Sequence, residues 1–158
     1  MAKAIVIDLE KCTGCRTCEI VCSTKHEGMS NPALSRISII KWEFEGFWVP
    51  MLCQQCETPP CGDSCPVGAI AYNHEKGIVE INNDSCIGCK MCMTVCPFGA
   101  MGIDGKNRVF KCDLCGGDPL CVDFCETKAL QWVNVSTWPM KKKREVLEKF
   151  PGLMKHFV

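Results

Sequence analysis

The chain has 158 residues, 18 basic and 18 acidic side chains, and 16 cysteines. The length suits one domain of ordinary size, and the even charge balance offers no basic face for nucleic acid, since the one basic run, Lys141 to Arg144, is short. So many cysteines would mean a disulfide scaffold in a secreted chain, but the opening Met-Ala-Lys-Ala-Ile-Val-Ile-Asp holds no apolar signal region, and no apolar run approaches a membrane span.

In chain order, Ala4 to Leu9 reads as a short β-rich run feeding Cys12, Cys15, Cys18 and Cys22. A helix is predicted over Arg16 to His26, and Met29 to Ala33 reads as a loop. Two strands, Arg36 to Phe44 and Phe47 to Leu52, turn at Glu45-Gly46. Cys53, Cys56, Cys61 and Cys65 follow. Ala69 to Tyr72, a turn over Asn73 to Gly77, and Ile78 to Ile81 form a predicted hairpin. It leads to Cys86, Cys89, Cys92 and Cys96, with a short helix over Lys90 to Cys96 stopped by Pro97. The last group is Cys112, Cys115, Cys121 and Cys125. Beyond Trp138-Pro139 the composition changes, and Met140 to Phe150 is a further predicted helix, ended by Pro151-Gly152.

No cysteine is left over from these four groups of four, and each group ends in C-x3-C. This is the spacing that holds cubane iron–sulfur clusters. Three closely spaced thiolates grip one cube, and the fourth cysteine usually reaches to a second cube. Four [4Fe–4S] centres are therefore expected. Their thiolates make the loaded protein more acidic than its side-chain count. Zinc is the first rival, but four-cysteine zinc sites use two C-x2-C knuckles with a long spacer, and triplets at x2-x2 crowd a single ion.

The chain also repeats itself. Cys65-Pro-Val-Gly-Ala-Ile70 matches Cys96-Pro-Phe-Gly-Ala-Met101, and Cys125-Glu-Thr-Lys-Ala-Leu130 is a weaker copy. The predicted fold class is α+β: two ferredoxin-like units, each for two clusters, related by a pseudo-twofold repeat, with a β-hairpin insertion and a C-terminal helical tail. The hairpin between groups two and three pairs those two, which leaves one with four. Pairing in chain order is the competing scheme. The expected division is 1–35 with 105–136 as the outer unit, 36–52 as the hairpin, 53–104 as the inner unit and 137–158 as a docking tail.

Other residues receive plainer readings. His26, His74 and His156 are not needed as ligands, since every quartet is complete. Trp42, Trp48, Trp132 and Trp138 serve as packing or as cluster shields. Lys11 and Lys111 each precede a first cysteine, where a cation would raise a cluster potential, and an ordinary solvated lysine is the default for both. Gly14, Gly62, Gly88, Gly116 and Gly117 read as tight turns in the cluster loops. Asp113, Asp118 and Asp123 surround group four without the marks of acid–base catalysts. With no paired nucleophile, phosphate loop or nucleotide fingerprint, no catalytic residue is assigned.

The four groups, in this order and with these gaps, resemble the four-cluster ferredoxin-type electron-transfer subunit of molybdenum and tungsten oxidoreductases of the dimethyl sulfoxide reductase type. Pro50-Met-Leu-Cys-Gln-Gln-Cys-Glu-Thr-Pro-Pro-Cys61 is especially similar. The resemblance implies crosswise ligation: Cys12, Cys15, Cys18 with Cys125; Cys112, Cys115, Cys121 with Cys22; Cys53, Cys56, Cys61 with Cys96; and Cys86, Cys89, Cys92 with Cys65. It implies a non-catalytic chain that relays single electrons. Its partners would be a large Mo- or W-pterin catalytic subunit and a ferredoxin or a flavin- or NAD-binding subunit, with self-association in the complex also allowed. The short chain is most similar to small subunits of tungsten aldehyde oxidoreductases or related benzoyl-CoA-reducing enzymes. Alternatives are a free polyferredoxin, a hydrogenase or formate dehydrogenase subunit, and a zinc-structured interaction module. A cytoplasmic location is expected, with co-export beside a partner left open. Neither nucleic acid nor a membrane span is expected.

Overall fold

The computed structural model describes residues 3–139. The helix expected at Met140 to Phe150, and the tail beyond residue 139, lie outside the described residues.

Ile5, Val6 and Ile7 favour an extended chain, and β1 (Lys3–Ile7) pairs antiparallel with β8 (Leu130–Asn134), Ile7 opposite Leu130. A 3-10 turn at Leu9–Lys11 ends the strand expected to reach Leu9. β8 is an element that the sequence reading lacks. It sews the first cysteine group to the region after the last.

α1 (Thr17–Glu27) begins after Arg16 and ends at Gly28, both with positive φ. Its buried residues Cys18, Glu19, Cys22 and Ser23 share one helical face. The buried Glu19 carboxylate pairs with Arg16 and accepts the Ile39 N–H at 2.6 Å. This fixes α1 against β2 (Ile37–Trp42), which pairs with β3 (Phe47–Leu52). At the hairpin base Ile37 faces Leu52, both 2% exposed, while Trp42, Phe44 and Phe47 at the tip are open to solvent. Pro50 is tolerated because a two-stranded sheet has only edges.

The short helix α2 (Pro60–Asp63) precedes β4 (Ile70–Asn73) and β5 (Ile78–Ile81), a hairpin at the expected place. α3 (Met91–Val95) follows, then a second hairpin of β6 (Met101–Ile103) and β7 (Val109–Lys111), then α4 (Leu120–Asp123). Helix α1 packs on α4, and α2 on α3. Two apolar cores result. One gathers Cys18, Cys22, Ile37, Leu52, Cys112 and Leu130; the other gathers Cys61, Ile70, Val79, Cys92 and Val109. Successive strand residues point to opposite faces, so β5 sends Ile78 into the first core and Val79 into the second. Among the described residues no helix is long and apolar enough to cross a membrane.

Candidate metal centres

Each cysteine group sits on a loop bent by positive φ. Gly14 and Arg16 in group one have φ of 67° and 64°, and Gly88 and Lys90, at the same offsets in group three, have 68° and 66°. Groups two and four share another pattern, with Gln55 at 52° and Leu114 at 56° two residues after the first cysteine. Each then enters a short helix behind a proline, Pro59 or Pro119. Gly62 departs from the turn reading: it lies inside α2 without a positive φ, where an added Cβ would come within 3.0 Å of the Ile70 carbonyl oxygen.

The internal repeat has a physical counterpart at the fourth cysteines. The Ala69, Ala100 and Leu130 N–H groups donate to the sulfurs of Cys65, Cys96 and Cys125 at 3.3, 3.5 and 3.5 Å. To reach back, the chain must turn through a left-handed residue, which is Gly68, Gly99 and Lys128 in turn. Cys22, whose following sequence lacks the repeat, instead accepts the Arg36 N–H at 3.3 Å. Backbone donors aimed at sulfur stabilise charge on an iron–sulfur site.

Three cavities are lined by cysteines from two groups each. Cys53, Cys56 and Cys61 meet Cys96, together with Pro59 and Pro97. Cys112, Cys115 and Cys121 meet Cys22, beside Ile37 and Leu52. Cys86, Cys89 and Cys92 meet Cys65, beside Ile70 and Val109. Of the remaining cysteines, Cys18 lies within electrostatic reach of Cys12 and Cys15, and Cys125 packs against the core that holds Cys18. Four soft sulfur donors around a small apolar cavity fit a cubane cluster. As free thiols, Cys18 and Cys112 are pushed up to about 12 by burial, and burial raises Cys121 as well. Such groups become thiolates only when a cation shares the site and takes up the charge.

The surroundings correct one expectation. Lys11 is half exposed and pairs with Asp8 at 2.8 Å. Lys111 is 4% exposed. Its Nζ donates to the Cys112 carbonyl at 2.9 Å and to Gln55 Oε1 at 3.2 Å. Gln55 Oε1 also accepts the Val79 N–H at 2.9 Å, and Gln55 Nε2 donates to the Cys112 carbonyl at 2.7 Å. No local pattern signals this arrangement, because its partners lie 24 and 57 residues away from Gln55. His26 Nε2 stands 3.8 Å from Cys115 Sγ and 3.4 Å from Asp113, and burial lowers the pKa of the imidazole. His74 meets Tyr72 edge-on, and Asp118 and Asp123 are exposed. Trp48 covers Gly14, Trp42 packs on Phe47, and Trp132 lies under Lys3.

Sulfur-lined cavities on repeated loops define an iron–sulfur electron-transfer protein. The 4Fe-4S dicluster domain family matches residues 44–135 and a 4Fe-4S binding domain matches residues 3–24. The chain belongs to the 4Fe-4S dicluster domain family, and with its 16 cysteines it carries four [4Fe–4S] clusters. It is 43% identical, over 77% of its length and 70% of the relative's, to the aliphatic sulfonate oxidoreductase polyferredoxin-like subunit of Pyrococcus furiosus. It is 42% identical to the putative electron transport protein YsaA of Escherichia coli, covering 85% of this chain and 92% of the relative. Among solved structures, a chain of the BamBC active-site complex of benzoyl coenzyme A reductase superposes with a TM-score of 0.51 at 26% identity, covering 92% of this chain and 89% of that one.

Proposed function

We propose that this chain is the electron-relay subunit of a larger oxidoreductase, itself non-catalytic. It would join a Mo- or W-pterin catalytic subunit, of the tungsten aldehyde oxidoreductase type, to a ferredoxin or flavin partner. The four ligand sets are the crosswise ones: Cys12, Cys15, Cys18 and Cys125; Cys22, Cys112, Cys115 and Cys121; Cys53, Cys56, Cys61 and Cys96; Cys65, Cys86, Cys89 and Cys92. A [4Fe–4S] cluster supplies one-electron chemistry when bound. The rest is what the residues do, which is to hold the sites in order, shield them and tune them.

The observation that carries this reading is the Gln55 to Cys112 bond, which ties the loop of group two to the first cysteine of group four. Cys112 is within electrostatic reach of both Cys22 and Cys53, and Cys121 of Cys18. With Cys61 and Cys92 sharing one core, the proposed order of the sets is the Cys12 set, the Cys112 set, the Cys53 set and the Cys86 set. The exposed cysteines Cys15 and Cys89 belong to the first and last of these. A chain of this length has a radius of gyration of roughly 15 Å, so such a series spans most of it. In the same reading, residues 1–35 with 105–136 form an outer unit and 53–104 an inner one, related by a pseudo-twofold repeat. The hairpin 36–52 presents its apolar tip to a partner. Support comes from the relative named as a subunit of an oxidoreductase and from the fold shared with the BamBC complex.

The test is anaerobic purification of the tagged chain from its host, with native mass and metal analysis. A complex containing tungsten or molybdenum in a large subunit is the expected result. A lone monomer with iron only would make the chain a free polyferredoxin instead.

A further inference from the structure

We propose that Lys111, held by Gln55, is a fixed cation that raises the reduction potential of one centre, the Cys53, Cys56, Cys61 and Cys96 site, above that of its neighbours. The inference rests on the ligand sets proposed above. Lys111 is the buried lysine among the described residues. A buried ammonium is expensive unless acceptors surround it. Here its neighbours are acceptors, the Cys112 carbonyl and Gln55 Oε1, and no carboxylate bonds it. Gln55 is itself oriented, because its Oε1 accepts from Val79 and its Nε2 donates to Cys112. Among the described residues Glu80 lies within the field of this charge, but its carboxylate bonds Lys76 at 2.7 Å and leaves the ammonium without a bonded counter-ion. Gln55, which accepts from the ammonium at 3.2 Å, stands between Cys53 and Cys56 on the loop of group two, and the field of Lys111 also reaches Cys53 and Cys61.

The consequence is electrostatic. Each reduction adds a negative charge to a site ringed by thiolates. A buried cation beside one site favours the reduced form there, and low-dielectric surroundings screen it little. Asp113 and Glu80 also border the groove that contains Lys111, and His26 faces the Cys115 side. None of these hydrogen-bonds the ammonium. Placed at the seam, the favoured site would retain an electron between the outer and inner pairs. Lys111 is thus a positioning residue for charge.

The experiment is a potentiometric titration of the anaerobic full-length protein, followed by electron paramagnetic resonance. Cys53→Ala and Cys96→Ala are used first to mark the signal of this site. Lys111→Met is expected to lower that signal's equilibrium constant for reduction about tenfold, a fall of about 59 mV for one electron, with a smaller fall at the Cys112 site and the other two signals unmoved. Lys111→Arg is expected to restore most of the loss. Gln55→Glu, which keeps the lysine and adds a counter-charge, should lower the same signal, and it carries the test if Lys111→Met does not assemble. An unchanged potential in the assembled variants, an equal fall in all signals, or a fall confined to the Cys112 site would overturn the inference. If the two cysteine variants alter different signals, the ligand sets fail instead, which is a separate result.

Discussion

The indole of Trp48 lies over Gly14, so closely that a Cβ added at Gly14 would collide with the indole Cδ1, Cγ and Nε1 atoms. Strand β3 thus presses a tryptophan onto the loop between Cys12 and Cys15. Gly14 also needs its φ of 67°, a region that costs an ordinary residue about 1–2 kcal/mol. Gly14→Ala is expected to displace Trp48 and to cost the protein the centre of group one, leaving the other three. Iron and labile-sulfide analysis, with resonance spectra of the reduced protein, checks this. A variant with its full iron content and unchanged spectra would show that the loop tolerates the shift.

Lys128 occupies the left-handed position that Gly68 and Gly99 fill in the two other copies of the repeat. A glycine there removes the steric cost of the left-handed turn, offset in part by its greater freedom in the unfolded chain. Lys128→Gly is expected to stabilise the loaded protein by about 0.5–1 kcal/mol, read as a higher denaturation midpoint. A lower midpoint would mean that the lysine side chain contributes a contact worth more than the strain.

Leu52 is 2% exposed at the base of the β2–β3 hairpin, and it lines the cavity of Cys22, Cys112, Cys115 and Cys121. Leu52→Ala is expected to destabilise the fold by roughly 2–5 kcal/mol, the range for a buried leucine. The void also admits water beside one centre. Loss of visible absorbance under a chelator should become biphasic, with one quarter of the colour fading first.

Removal of iron tests what the centres contribute to the fold. The described sheets are all two-stranded, and most of the helices are a turn or so long. Such elements are marginal alone. Both cores count cysteines among their buried residues. The iron-free, reduced chain is therefore expected to lose its near-ultraviolet circular dichroism and its cooperative thermal transition. A cooperative transition in the iron-free chain would place the stability in the apolar packing instead.

Much of this architecture is legible in the sequence where signals are local. The Arg16 to His26 helix, the 36–52 hairpin and the Ala69 to Ile81 hairpin all occur within a residue or two of the expected ends. β8 is not legible, because the partner of Leu130 is Ile7, far away in the chain, and no turn announces it. The β6–β7 hairpin has strands of three residues, too short for alternation to register, although Asp104-Gly105 is a turn signal. Asp104 there accepts the N–H groups of Lys106 and Arg108. Lys111 reads as a surface lysine for a general reason. Only the three-dimensional meeting of Gln55, Val79 and Cys112 supplies the acceptors that let it be buried.

The proposed centres are ligated crosswise within an inner and an outer pair. The most direct measurement compares resonance spectra of the reduced Cys53→Ala, Cys96→Ala and Cys86→Ala variants. Crosswise ligation predicts that Cys53→Ala and Cys96→Ala alter one and the same signal and that Cys86→Ala alters another. If Cys96→Ala instead matches Cys86→Ala, each group closes on its own centre and the account is wrong.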